Sequence, residues 1–336
     1  MKHVLSGLGE KKLLHTIRKY LGKTTGIVRT FSEDCAVIDS EDGNYMLLTM
    51  DVQLENVHFR LKYMPPFYLG KRALKVNLSD ISAMGGRPLY YLVSLGAPPS
   101  TPLETIQGIY RGMKSAAQKH GICLIGGNIT QSPLLFLDIT MMGTVRRGEV
   151  LFRSGARRGD LIYVTGPLGG SAAGLRLLQK GFRLQRKNAK PVQQAILSHL
   201  DPPDLNSFAR KLAASGLAHS MIDLSDGLGP DLSEICRESK VGAVVELQNV
   251  PVVESVRSRK GKRNVNPVEL ALQGGEDYHL LFTVSPKNSA RLLRLAAKNR
   301  TKLFGIGRIV HASEGIHSID SKGIRRPLGG GYEHFK

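Results

Sequence analysis

The chain has 336 residues, 41% of them hydrophobic and 22% charged, the mix of a folded protein of about two domains and not of a disordered one. No apolar run approaches the roughly 18 residues of a membrane span, the start Met1-Lys2-His3-Val4-Leu5-Ser6 lacks the apolar stretch of a signal peptide, and Cys35, Cys123 and Cys236, with no C-x-x-C pair, argue against a disulfide framework or a structural zinc. A cytoplasmic protein without tryptophan stacking is expected, and its formal net charge of +19 favours polyanions, whether nucleic acid, an anionic membrane or phosphorylated small molecules.

Leu13, Leu14, Ile17 and Leu21 recur at helical spacing and predict an opening amphipathic helix. Residues 35–38 and 45–49 read as strands joined by the turn Glu41-Asp42-Gly43-Asn44, with Asp34 just before the first and Asp51 just after the second. A helix over about 68–84 ends at Gly85-Gly86. After a strand at 89–95, Thr101-Pro102-Leu103-Glu104 has the pattern of a capping box with Pro in the first turn, opening a helix that closes at Gly121. Residues 122–125 read as a buried strand followed by Gly126-Gly127-Asn128, and 134–145 as another strand. The polar, glycine-containing stretch 153–160 suits a boundary, dividing the chain into 1–150 and 151–336. Beyond it, strands are expected at 161–164, 221–224, 243–247, 278–284 and 303–309, and helices from Ser171 and near 191–200, 207–215, 231–238 and 285–299. The mixture is not a strict βαβ alternation, so the fold class is α+β with sizeable sheets. Basic residues concentrate at 180–190 and 257–263, and a solvated surface is the plain reading of both.

Chemistry gathers at acids beside element ends. Asp34, Asp51 and Asp80 lie among apolar neighbours, where carboxylates are costly unless paired or metal-bound. Without Cys or His partners they suit a hard cation, and Mg²⁺ prefers such oxygens together with substrate phosphates; the alternative for each alone is a helix cap or a surface acid. In Asp223-Leu224-Ser225-Asp226-Gly227-Leu228 an apolar strand would end with Asp223 and Ser225 on one face, suited to metal and nucleotide, or the segment is an Asx-type turn. Gly274-Gly275-Glu276-Asp277-Tyr278 offers close approach and two acids for a polar or cationic ligand, or is a tight turn. Gly126-Gly127-Asn128-Ile129-Thr130, and Gly169-Gly170-Ser171 at a helix start, could cradle phosphate oxygens, although neither is a P-loop. Arg153 is a candidate phosphate clamp and His58 is placed to meet a phosphate or substrate. No Ser–His–Asp or Cys–His nucleophile set is evident.

In this order the segments 32–37, 51–59, 76–85, 126–130, 153–174, 222–231, 274–282 and the tail Gly331-Tyr332-Glu333-His334-Phe335 resemble the thiamine-monophosphate kinase family, part of an ATP-binding superfamily with aminoimidazole ribotide synthetase. Gly-Gly-Glu-Asp-Tyr and Tyr-x-His-Phe carry the likeness to this family over its relatives. The resemblance implies an N-terminal domain that dimerises through its sheet and a C-terminal α/β domain that completes the site. It implies Mg²⁺ ligands at Asp34, Asp51, Asp80, Asp223 and Asp226 assisted by Thr49 and Asn128, ATP contacts from Gly126, Gly127, Arg153 and Ser225, and thiamine phosphate contacts from His58, Glu276 and Tyr332. Direct in-line transfer from ATP, with no covalent nucleophile, is the implied chemistry. The chain departs from the family pattern at Ser32-Glu33-Asp34, Met50, Asn56 and Asn128. Two alternatives stay open: a sister enzyme of the superfamily, such as aminoimidazole ribotide or selenophosphate synthetase, or a basic nucleic-acid-binding homologue that has lost activity.

Overall fold

The computed structural model describes residues 9–22, 25–253 and 267–329. The predicted hairpin forms, with β2 (Ala36–Asp39) antiparallel to β3 (Asn44–Leu54) and Ala36 opposite Leu48. Its turn closes because the Asp42 carboxylate accepts from Ser40 Oγ at 2.7 Å and from the Asn44 N–H at 2.9 Å. Together with β1 (Ile27–Arg29), β4 (Arg87–Ala97), β5 (Cys123–Gln131) and β6 (Phe136–Arg146) these strands make a six-stranded sheet in the order β1-β2-β3-β6-β4-β5.

The two-residue period of β3 sorts its side chains. Leu47, Thr49 and Gln53 are buried on one face, while Met50 and Val52 point to the other, 64% and 42% exposed. The buried face is covered by α2 (Pro66–Ala83) and α3 (Leu103–Gln118), after the short α1 (Glu10–Arg18). Glycine lets α2 and α3 approach: a Cβ on Gly70 would lie 1.9 Å from the Ile109 carbonyl oxygen, and one on Gly112 would lie 1.9 Å from that of Phe67.

Two local expectations fail. Pro102 is the N-cap of α3, with no side-chain cap hydrogen bond, so the Thr101–Glu104 box does not form. The strand expected at 122–125 instead runs from Cys123 to Gln131 through both glycines, and all nine residues are exposed, because β5 is the outer edge of the sheet and pairs only with β4.

The second sheet has seven strands in the order β13-β12-β9-β11-β7-β10-β8. They are β7 (Leu161–Val164), β8 (Ala218–Asp223), β9 (Gly242–Glu246), β10 (Leu280–Val284), β11 (Phe304–Val310), β12 (Ile316–Ile319) and β13 (Arg325–Pro327), all antiparallel except the β9–β12 pair. Helices α4 (Gly170–Gln179), α5 (Lys190–Leu200), α6 (Asn206–Ala214), α7 (Leu228–Ser239), α8 (Pro267–Gln273) and α9 (Ser289–Lys298) complete the described residues. The two halves share their cores. Leu177 and Leu178 of α4 and Ala195, Ile196 and Leu200 of α5 pack with Leu69, Leu74 and Ile81 of α2, while Ala83 of α2 packs with Met221 and Phe282 of the second sheet. Helix α2 is thus the shared element. The α+β expectation holds; β1, α8, β12 and β13 were too short to carry a readable period. The basic stretch 257–263 lies outside the described residues.

Candidate active site

Three acids far apart in sequence converge. Asp34 lies in the turn before β2, Asp80 near the end of α2, and Asp223 is the last residue of β8; each offers an oxygen within 4.8 Å of the others. Neighbours hold each carboxylate in place. Thr49 Oγ1 donates to Asp80 Oδ2 at 2.5 Å, Ser79 Oγ to Asp223 Oδ2 at 2.6 Å, and Arg153 Nη2 to Asp34 Oδ1 at 2.6 Å. The other oxygen of Asp34, Oδ2, is buried with no hydrogen-bond partner.

The electrostatics report an incomplete site. Burial, then the charges of Asp51, Asp223 and Asp34, pushes the Asp80 carboxyl well above its usual range. Burial and Asp34 take Asp223 to about 8, and burial and Asp138 take Asp51 to about 6. Arg153 beside Asp34 and Asp223, and Arg72 on the side of Asp51, offset only part of this concentration of acids. An all-oxygen set of this kind fits a hard divalent cation, which would restore each carboxylate to its ionised form.

Asp51 joins the edge of the cluster from the covered face of β3, two residues beyond Thr49. Asp226 stands exposed in the turn after β8, whose backbone is held by Asp231: its buried carboxylate accepts from the Asp226 and Gly227 N–H groups at 3.2 and 3.1 Å. Asn128 is not brought to the acids within one chain. Val52, Asp138, Ser94 and Asn128 form a single row across β3, β6, β4 and β5, on the sheet face opposite Thr49 and Asp51. Gly126 and Gly127 lie in the same edge strand, extended as part of a ladder and not folded into a loop.

Beside the acids opens a cleft of about 760 Å³, lined by His58, Arg60, Tyr63, Arg176, Ser225 and Glu276 among others. Ser225 joins the two features, two residues beyond Asp223. His58 is fixed by the Leu54 N–H, which donates to its Nδ1 at 3.1 Å. Glu276 and Tyr278 adopt φ of 67° and 51°, a conformation non-glycine residues rarely take. The Glu276 and Tyr278 N–H groups are held by the Ser225 and Leu224 carbonyls at 2.7 and 2.8 Å, which pins the segment to the end of β8. Adjacent acids therefore part ways. Glu276 faces the cleft, whereas Asp277 turns inward and accepts from the Gly169 and Ser171 N–H groups at 2.6 and 3.0 Å. That carboxylate fills the start of α4, so Gly169-Gly170-Ser171 is not open to a phosphate. Tyr332 lies outside the described residues.

Sequence reasoning passed over four residues. Glu33 is buried, accepts from the Arg153 N–H at 2.8 Å, and is raised by burial to about 7. Asp138 on β6 has a buried oxygen without a partner. Arg72 is fully buried on α2, and His199 is fully buried at the end of α5. A charge inside an apolar run was the available signal, as in Phe136-Leu137-Asp138-Ile139 and in Arg72-Ala73-Leu74.

Residues 32–145 match the AIR synthase related protein N-terminal domain, and 157–320 match the C-terminal domain of the same proteins. The thiamine-monophosphate kinase of Escherichia coli K12 is 34% identical over 90% of this chain and 90% of its own, and that of Bacillus subtilis 168 is 32% identical over 98% and 100%. The chain belongs to the thiamine-monophosphate kinase family. Among solved structures it is similar to AaThiL complexed with AMPPCP and TMP, with a TM-score of 0.83, 30% identity and 97% of each chain covered. The thiamine-monophosphate kinase from Stenotrophomonas maltophilia K279a matches with a TM-score of 0.76, 33% identity, and 94% and 96% covered. The HypE-HypF complex, at 20% identity and a TM-score of 0.75, shows a shared fold alone. The family assignment made from ordered segments is confirmed over nearly the whole chain, and no sister family is favoured.

Proposed function

We propose that this chain phosphorylates thiamine monophosphate with ATP, giving thiamine diphosphate and ADP. The observation that carries it is the convergence of Asp34, Asp80 and Asp223 beside a cleft that presents Glu276 and His58. The acceptor is itself a phosphate, ionised and nucleophilic at neutral pH, so the reaction needs no general base and no covalent intermediate. It needs two polyanions held in line. Asp34, Asp80 and Asp223, with Asp51, Asp226 and Thr49 at the margin, would hold Mg²⁺, which when bound would supply positive charge to offset the repulsion between the polyanions. The chain's own groups fix the geometry: Thr49 and Ser79 orient carboxylates by donating to them, and Arg153 balances Asp34. His58 and Glu276 face the acceptor, and Glu276 offers a carboxylate to the cationic thiazolium ring.

The reading extends to assembly. The face of the first sheet away from α2 and α3 exposes Met50, Val52, Tyr90 and Leu92, and the edge strand exposes Leu124, Ile125 and Ile129 at up to 75%. A sheet face that exposes these apolar side chains around the polar row of Asp138, Ser94 and Asn128 fits a second copy of the chain. Asn128, Gly126 and Gly127 lie on or beside that face, so dimerisation brings them to the nucleotide site of the assembled enzyme. The division at 150/151, between the strands of the two sheets, and a cytoplasmic setting belong to the same proposal. Among the described residues no helix is long and apolar enough to cross a membrane.

The test is thiamine diphosphate formation from ATP, Mg²⁺ and thiamine monophosphate, with wild type and Asp80→Asn side by side. Product from the wild type that falls by at least ~100-fold in the variant supports the assignment. A folded, Mg²⁺-supplied wild type that makes no product overturns it.

A further inference from the structure

Arg72 stands in the middle of α2 with no exposed surface. Isolating a guanidinium from water costs several kcal/mol unless its donors are used. Its Nη1 donates to the His199 carbonyl oxygen at 2.5 Å, its Nη2 donates to Glu276 Oε1, and its guanidinium lies 5.7 Å from the centre of the Tyr278 ring. Each partner belongs to one structure: His199 ends α5 beside the cleft, and Glu276 and Tyr278 are the two residues held at positive φ. The second Glu276 oxygen, Oε2, lies 3.6 Å from His199 Nδ1, which is also 3.0 Å from Ser171 Oγ. The Glu276 side chain is 30% exposed and lines the cleft, whereas Arg72 beneath it is sealed off.

We propose that Arg72 is a positioning residue for the acceptor: gripping one Glu276 oxygen from below, it aims the carboxylate into the cleft as a fixed partner for the cationic ring. This rests on the reading that thiamine monophosphate occupies the cleft. Burial alone would push the Glu276 carboxyl up; the Arg72 charge first, and His58 after it, outweighs burial, and the group is held below its usual range. Burial, then Arg72, lowers His199 to about 3, so it stays neutral and leaves Arg72 as the cation that faces Glu276 from inside. Other titratable groups near it include His58, Asp277, Tyr63 and Tyr278. Helix α2 also carries Ser79 and Asp80 two turns beyond Arg72, about 11 Å along its axis. One rigid element therefore spaces the ring-binding carboxylate from the acid cluster.

The experiment measures KM and kcat for thiamine monophosphate, and for an isosteric acceptor monophosphate whose ring carries no charge, in wild type, Arg72→Met and Arg72→Lys. In the wild type the charged ring is preferred. In Arg72→Met that preference falls about 10-fold or more through KM for thiamine monophosphate, with kcat and KM for ATP changing no more than about 2-fold. Arg72→Lys, which keeps the charge, recovers part of the preference. If Arg72→Met does not fold, Arg72→Gln, whose amide still donates to the His199 carbonyl, is judged by the same ratio. A ratio that matches the wild type, or parallel losses in kcat and both KM values, overturns the inference and leaves the kinase assignment standing; absence of product in the wild type overturns the assignment itself.

Discussion

At the scale of single residues, the acid cluster trades stability for chemistry. Asp34, Asp80 and Asp223 repel one another, and burial adds to the cost of their charge. Asp80→Asn removes one charge and keeps an acceptor oxygen for Thr49. Its melting temperature in EDTA should exceed that of the wild type by a few degrees, about 1 kcal/mol in a chain of this size. Mg²⁺ should raise the wild type and leave the variant nearly unmoved; differential scanning fluorimetry reads both. His199 gives the pH dependence. Its folded value of about 3 is below the ordinary 6.5, so between these limits the unfolded chain binds more protons than the native one. The contribution is whole above about pH 6.5 and is lost as pH falls toward 3, with a slope of at most about 1.4 kcal/mol per pH unit. Urea unfolding across that window should show the slope in the wild type and a flatter curve in His199→Gln.

At the scale of elements, α2 is the part on which the rest depends. It covers the first sheet, reaches the core of the second, and carries Arg72, Ser79 and Asp80 toward the site. Its seat against α3 depends on two glycines whose missing Cβ atoms admit the neighbouring backbone. Gly112→Ala would place a methyl group 1.9 Å from the Phe67 carbonyl oxygen, so the helices must part. A loss of about 2 kcal/mol in urea unfolding is expected, and because α2 moves, kcat should fall as well. An unchanged midpoint would mean that α3 shifts without cost. The segment Gly274-Gly275-Glu276-Asp277-Tyr278 shows a second dependence between elements. Its strained backbone is tied to β8, and Asp277 ties it to α4, so the cleft wall cannot relax without loosening both.

For the whole molecule, the proposed dimer rests on the exposed face of the first sheet. Leu92 is 41% exposed on that face, in β4 next to the edge strand. Leu92→Lys should halve the mass measured by light scattering, from dimer to monomer, with little change in the melting of the monomer fold. Since Asn128 and Gly127 reach a nucleotide site only through a second copy in this reading, the monomer should also lose ATP affinity. A variant that stays dimeric places the contact elsewhere. Part of the charge of +19 stands at the site, where Arg153 pairs with Asp34 and Arg60 and Arg176 line the cleft.

Most strands and helices were legible because each buries one face and so repeats apolar residues with its own period, as 161–164 and 35–38 show. Asp34, Asp80 and Asp223 were legible as well, since an acid among apolar residues at an element end needs a partner. Local chemistry misled where a distant group intervened. Asp277 filled the start of α4 that glycines seemed to leave for phosphate, and β5 continued through Gly126 and Gly127 because β4 offered it a ladder. Arg72 and His199 carry no local mark of purpose; they matter because α2, α5 and the Glu276 segment meet. By itself the sequence determined the α+β class, the family and the acids, because these rest on residue type and order along the chain. Only the tertiary structure decided which acids face one another, which glycines are open, and that a buried guanidinium stands behind Glu276, because such facts are distances between residues far apart along the chain.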